Sequence, residues 1–75
     1  MDRAMMFEHL AKAEKHLTSS RQIVARQRAL VAELERAGHD TTAATILLYD
    51  FEQSLKGQIH HRDRILLELD QQQRS

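Results

Sequence analysis

Two long stretches of this sequence repeat apolar residues at alternating spacings of three and four, with no proline anywhere in the chain. The first stretch runs from Met6 to Leu34, and the second runs from Ala44 to Leu69. Residues at these spacings share one side of an α-helix, so each stretch predicts a long amphipathic helix. The chain has only three aromatic residues, one Tyr and two Phe, which argues against a β fold. The expected fold class is all-α.

A short segment between the two stretches carries the residues typical of a helix-helix turn. Gly38 suits the left-handed position that follows many helices, and Asp40 can cap the next helix. A turn this short makes the helices antiparallel neighbours in a single domain, an antiparallel two-helix hairpin. The expected segments are a helix at about 2–37, a turn at 38–40, a helix at about 41–70 and a frayed tail at 71–75.

The apolar stripes are wider than one partner helix can cover. A chain of 75 residues buries only about 60% of its unfolded surface when it folds alone. The chain contains no cysteine, so disulfides cannot compensate for a thin core. We therefore expect two hairpins to pair through coiled-coil-like packing as a homodimeric four-helix bundle. The residues expected in the core or the dimer contact are Leu10, Leu17, Ile23, Val24, Leu30, Val31, Leu34, Leu47, Leu48, Phe51, Leu55, Ile59, Leu66 and Leu69.

The residues beside the stripes suggest how the two helices align. Apolar and oppositely charged residues should face each other across an antiparallel pair. The predicted pairs are Leu30 with Leu47, Ile23 with Ser54, His16 with His61 and His9 with Glu68 on one side, and Phe7 with Leu66, Arg21 with Glu52 and Arg28 with Thr45 on the other.

Three stripe positions hold polar residues instead of apolar ones: Ser20, Gln58 and Arg62. In coiled coils, such a layer fixes one register and one oligomeric state at a cost in stability, and this is the favoured interpretation. A hinge is the alternative. Ser19 and Gln22 have the spacing of a capping box, and Gly57 weakens the second helix at the same height. If Ser19 caps, the first helix is divided in two.

Five histidines raise the question of a metal site. The alignment places His16 beside His61, and histidine is a common ligand of transition metals. The spacings His-x-x-x-His and Glu-x-x-His, which bundle metal sites use, do not occur. We therefore predict no metal site and no cofactor. His16 and His61 remain weak candidates for metal binding, or for a pH-sensitive pair.

The charges of the chain balance, with 11 basic and 11 acidic residues. No overall field would attract nucleic acid or an anionic membrane. A local group of basic residues could still contact phosphates, which makes a small nucleic-acid-binding regulator one alternative function, beside a histidine-based metal-binding bundle. No aromatic residue lies among them, and this disfavours nucleic-acid binding. The basic residues in question are Lys15, Arg21, Arg26 and Arg28.

No catalytic constellation is apparent, because a two-helix hairpin offers no concave pocket in which a nucleophile, a base and an oxyanion site could meet. The leading function is a non-enzymatic protein-interaction module with an unknown protein partner. The N-terminus lacks the apolar run of a signal peptide, and no stretch approaches 18 apolar residues. A cytoplasmic protein without membrane contact is expected.

The turn reads Leu34-Glu35-Arg36-Ala37-Gly38-His39-Asp40-Thr41, an L-E-R-x-G-H-D-T pattern. With its flanks at 26–42, and with the segments 47–55 and 61–66, it resembles a group of small uncharacterised helical-hairpin proteins of soil bacteria. The resemblance covers about residues 9–69. It implies a bacterial origin and a hairpin, and it brings no activity, cofactor or site residue.

Overall fold

The computed structural model describes residues 2–74 as two α-helices joined by a short turn. Helix α1 is Arg3–Arg36 and helix α2 is Thr42–Arg74. They pack side by side as a rod of 58 × 14 × 14 Å, with a radius of gyration of 17.1 Å. A compact chain of this length would have a radius of gyration of about 11 Å. The predicted all-helical hairpin is confirmed, and its elongated shape leaves much of both helices uncovered.

The end of α1 explains why the chain reverses at Gly38. Gly38 has a φ of 75°, a left-handed conformation that residues with a Cβ seldom adopt. Its N–H donates to the carbonyl of Glu35 at 3.1 Å, and the N–H of His39 donates to the carbonyl of Leu34 at 2.9 Å. These two bonds form a Schellman motif, which satisfies carbonyls left free at the helix end.

Aspartates cap the start of both helices. Asp2 Oδ1 accepts from the Ala4 N–H at 2.9 Å. Asp40 Oδ1 accepts from the Thr42 N–H at 2.9 Å and from the Thr42 hydroxyl at 2.7 Å. The backbone bond first, and the hydroxyl bond second, lower the pKa of Asp40 below its ordinary value of 3.8, because both favour the ionised carboxylate. The capping role predicted for Asp40 is confirmed.

Helix α1 continues without a break through Ser19, so the hinge interpretation is wrong for this structure. A capping Ser19 would have to leave the helical conformation. Gly57 likewise lies within α2, and a Cβ added there would meet no atom within 4 Å.

Helix α2 also extends further than the sequence suggests. The frayed tail predicted at 71–75 is wrong for 71–74, which are helical, and Ser75 lies outside the described residues. The last turns of α2 have partners on α1. Leu69 is buried, and Gln72 Nε2 lies 3.2 Å from the sulfur of Met6.

The hydrophobic core is thin and lies mainly at the end of the rod opposite the turn, called here the open end. Leu17 has no exposed surface. A continuous buried cluster forms near the open end from Met6, Ala13, Ile65 and Leu69, with Leu10 against it. The turn half lies between the turn and the level of Ser20. Among its described residues, Val24 alone is both apolar and buried. The core does not centre on Leu48 and Phe51, where the stripe is densest in sequence.

The predicted core residues differ widely in burial. Leu17, Val24 and Leu69 are buried. Seven more are half-buried: Leu10, Val31, Leu34, Leu48, Phe51, Leu55 and Ile59. Four are exposed in the single hairpin: Ile23, Leu30, Leu47 and Leu66. The predicted set omitted four buried residues: Met6, Ala13, Gln27 and Ile65.

Within residues 2–74, neither helix has a stretch long and apolar enough to cross a bilayer.

Candidate interaction surface

The alignment of the helices is fixed by a hydrogen bond in the middle of the rod. Ser20 Oγ donates to Gln58 Oε1 at 2.6 Å in a partly buried position. Gln58 Nε2 in turn lies 3.5 Å from Ser54 Oγ. Two polar side chains that satisfy each other lower the cost of burying both, and a slip by one turn would separate them. The polar layer predicted from the stripe therefore contains a matched pair.

Arg62 does not share this level, because it lies one turn further along α2 than Gln58. Its Nε lies 2.9 Å from Asp63 Oδ1, and its Nη1 lies 3.7 Å from Glu14 Oε1 on the other helix. Its side chain is 21% exposed. Most of the side chain is thus buried while the guanidinium reaches two carboxylates, as in other snorkelling arginines.

A second polar contact between the helices was not singled out in the sequence. Gln27 is buried, and its Nε2 donates to the backbone carbonyl of Ala44 at 2.9 Å. Gln27 occupies a stripe position, as Ser20 does. A polar residue at such a position was the signal in the sequence for a polar contact between the helices. Its partner is a backbone atom, which no residue pattern could have indicated.

The hairpin has two broad faces, one on each side of the plane that contains both helix axes. The first, called here the histidine face, follows two seven-residue series: His9, His16, Ile23 and Leu30 from α1, with Leu47, Ser54, His61 and Glu68 from α2. The second, called here the arginine face, consists of Phe7, Glu14, Arg21 and Arg28 from α1, with Thr45, Glu52, Ile59 and Leu66 from α2.

The arginine face is charged and bridged between the helices. Arg28 Nη2 lies 2.9 Å from Glu52 Oε2. The sequence alignment paired Glu52 with Arg21 on this side, which is wrong by one heptad. The Ser20–Gln58 bond imposes a single alignment on both faces, whereas the proposed pairs treated each face separately. Phe7 near the open end lies beneath Arg3, whose guanidinium carbon is 5.4 Å from the ring centre.

The histidine face carries exposed apolar side chains in its turn half. Ile23, Leu30 and Leu47 are 41%, 47% and 44% exposed. By the alignment that Ser20 and Gln58 set, Leu30 and Leu47 lie at about the same height on the two helices. Neither of its two seven-residue series contains a Lys or Arg, and Glu68 is the acidic residue of these series.

The open-end half of the histidine face carries its histidines. Two shallow grooves of about 250 and 300 Å³ lie there. His9 and His61 border both grooves. Arg64 and Glu68 border the first groove, and Lys12 and His16 border the second. His16 and His61 thus share a groove, as the alignment predicted. Among residues 2–74, no three or more His, Cys, Asp or Glu side chains are placed to hold a metal ion.

The basic residues proposed for phosphate contact do not form one surface. Arg21 and Arg28 lie on the arginine face, where Glu52 binds Arg28. Lys15 and Arg26 project elsewhere, because six residues separate Lys15 from Arg21 and place them about 120° apart around α1. A phosphate backbone could not contact all four at once.

Comparison with known proteins gives no further guide to these surfaces. No protein family, no curated protein and no solved structure matches the chain. The resemblance to bacterial helical hairpins therefore stays a prediction.

Proposed function

We propose that this protein is a non-enzymatic helical interaction module that works as a homodimer, two hairpins forming a four-helix bundle. The observation that carries the proposal is the surface that a single hairpin leaves uncovered. The chain exposes 5701 Å². A compact monomer of 8.7 kDa would expose about 4,700 Å², so the hairpin exceeds it by about 1,000 Å².

This excess matches what a second copy would remove. A stable protein–protein interface buries about 800 Å² on each partner. Part of the uncovered surface is apolar, since four predicted core residues lie exposed and seven are half-buried. Large exposed apolar areas on a small protein mark contact sites, because removing apolar surface from water is favourable by about 25 cal/mol per Å² before the costs of association.

The experiment is sedimentation equilibrium of the purified protein across micromolar concentrations, with helicity followed by circular dichroism. We expect a species of twice the 8.7 kDa chain mass. A helical species that sediments as a monomer throughout would overturn the proposal. An unrelated protein partner would bind to the outer sides of the bundle and would leave the dimer itself intact.

A further inference from the structure

We infer that the histidine face is the surface on which the second copy docks, and that the two hairpins lie with their turns at the same end of the bundle. This inference rests on the proposed homodimer and specifies its contact. We assign the occupant as a second copy because the excess exposed surface, about 1,000 Å², is large enough for one side of a stable interface, about 800 Å². Each copy would present the same surface to the other, so this surface must be complementary to itself.

The distribution of charge distinguishes the two faces. Docking on the arginine face would remove Arg21, Arg28 and Glu52 from water, and burying charges costs several kcal/mol per ion unless each is fully paired. Arg28 and Glu52 are already bridged within the hairpin at 2.9 Å. On the histidine face, Lys12 and Arg64 border the grooves of the open-end half, whereas Ile23, Leu30 and Leu47 make the turn half apolar. Burial of that turn half would mainly remove apolar side chains from water.

The packing of the core points to the same face. The turn half contains apolar residues that the single hairpin buries only in part, among them Val31, Leu48 and Phe51. Leu30 and Leu47 flank them on the histidine face and are themselves about half exposed. A second hairpin placed there would complete the core where a single hairpin leaves it incomplete.

The unequal halves of this face determine the orientation. If the turns of the two copies lie side by side, each Leu30 meets the Leu47 of the other copy, and the histidine-bearing halves meet each other. If instead the turn of one copy lay beside the open end of the other, at full overlap, the apolar halves would lie against histidines. The apolar side chains would then gain little apolar contact. Both arrangements make every neighbouring helix pair antiparallel, so helix dipoles do not discriminate between them.

A matched pair of substitutions tests the face. Leu47 and Leu66 are both on α2 and both 44% exposed, but Leu47 lies on the histidine face and Leu66 on the arginine face. We expect Leu47→Glu to raise the dimer dissociation constant at least about a hundredfold, because each dimer would contain two of the new carboxylates. Leu66→Glu should change it less than about threefold.

The possible outcomes distinguish a wrong choice of face from a wrong oligomeric state. A wild-type monomer would overturn the proposed function. A wild-type dimer that Leu66→Glu disrupts and Leu47→Glu does not, or that both disrupt equally while helicity is kept, would overturn the choice of face alone. If Leu47→Glu lost its helicity, Leu47→Ser would replace it in the comparison, with Leu66→Ser as its control.

Spin labels test the orientation. The chain has no cysteine, so His39→Cys in the exposed turn provides a single attachment point. Turns at one end would place the two labels about 20 Å apart, given helix spacings of about 10 Å in a bundle. Turns at opposite ends would place them about 50 Å apart, from the 1.5 Å rise per residue. A long distance in a confirmed dimer would overturn the orientation.

Discussion

Asp40 stabilises the start of α2 through one carboxylate oxygen that accepts two hydrogen bonds from Thr42. These bonds lower the pKa of Asp40 below 3.8, so folding favours its ionised form. The stabilisation is present above pH 3.8, the unfolded-state value, and is lost as pH falls through the lower value of the folded protein. Acid should therefore weaken the cap by protonating this group.

We predict that Asp40→Asn loses less stability than the natural sequence as pH falls from 5 to 2. Asparagine keeps an oxygen that can cap the helix, but it does not titrate. Urea unfolding followed by circular dichroism at several pH values measures the difference. Asp50→Asn, an exposed change about two turns after the start of α2, controls for the loss of one negative charge. Equal pH slopes for Asp40→Asn and the natural protein would contradict the prediction.

The Ser20–Gln58 bond yields a prediction of coupling. Ser20→Ala or Gln58→Ala alone leaves a partly buried polar group without this partner, so each should lower the free energy of unfolding by about 1 kcal/mol. The double variant should cost less than the two single costs added together, by about 0.5 to 1.5 kcal/mol. Denaturant titration of the four proteins gives this number.

The exposed pair Arg28 and Glu52, studied in the same way, should couple by less than about 1 kcal/mol. Strict additivity at Ser20 and Gln58 would show that the bond does not stabilise the fold.

At the scale of the helices, α1 contributes the best-buried side chain of the hairpin, Leu17. We predict that Leu17→Ala lowers the free energy of unfolding by about 2 to 5 kcal/mol, because it leaves a cavity where both helices meet. Leu67→Ala serves as control, since Leu67 is 56% exposed and should change stability by less than about 0.5 kcal/mol. Thermal and urea unfolding compare the two. Similar losses in both variants would mean that the buried side of one helix has been misassigned.

The sequence predicted the helices well because their signals are local. The spacing of apolar residues, Gly38 and Asp40 act within a few residues, and they define α1, the turn and α2 without reference to tertiary contacts. The extension of α2 through 71–74 was missed because it has support from residues far away in sequence. Met6, for example, lies beside Gln72 across the hairpin.

The candidate surface was predicted less completely, since it depends on the relative height of the two helices. A seven-residue repeat looks the same after a shift of one heptad, so residue types alone allowed Glu52 to pair with Arg21. The hydrogen bond between Ser20 and Gln58 removes this ambiguity. The bond of Gln27 to the Ala44 carbonyl has no counterpart in residue pattern at all.

At the scale of the whole molecule, a dimer links stability to concentration. We predict that Tm rises by about 2 to 6 °C for each tenfold increase in protein concentration, because association adds about 1.4 kcal/mol per decade. Calorimetry from about ten micromolar upward measures it. The Leu47→Glu variant should show a flatter dependence than the Leu66→Glu variant. A Tm that stays constant over a hundredfold range of concentration would contradict a dimer that folds as it assembles.

The hairpin topology also determines how the molecule would respond to a mechanical load. Asp2 and Arg74 lie at the same end of a 58 Å rod, so tension between them separates the helices from the open end toward the turn. The contacts would then break one after another, Met6 and Gln72 first and the Ser20–Gln58 bond about halfway along. Tension between the turn and either end would instead load one helix along its own axis. The same fold would thus yield gradually in the first direction and resist in the second.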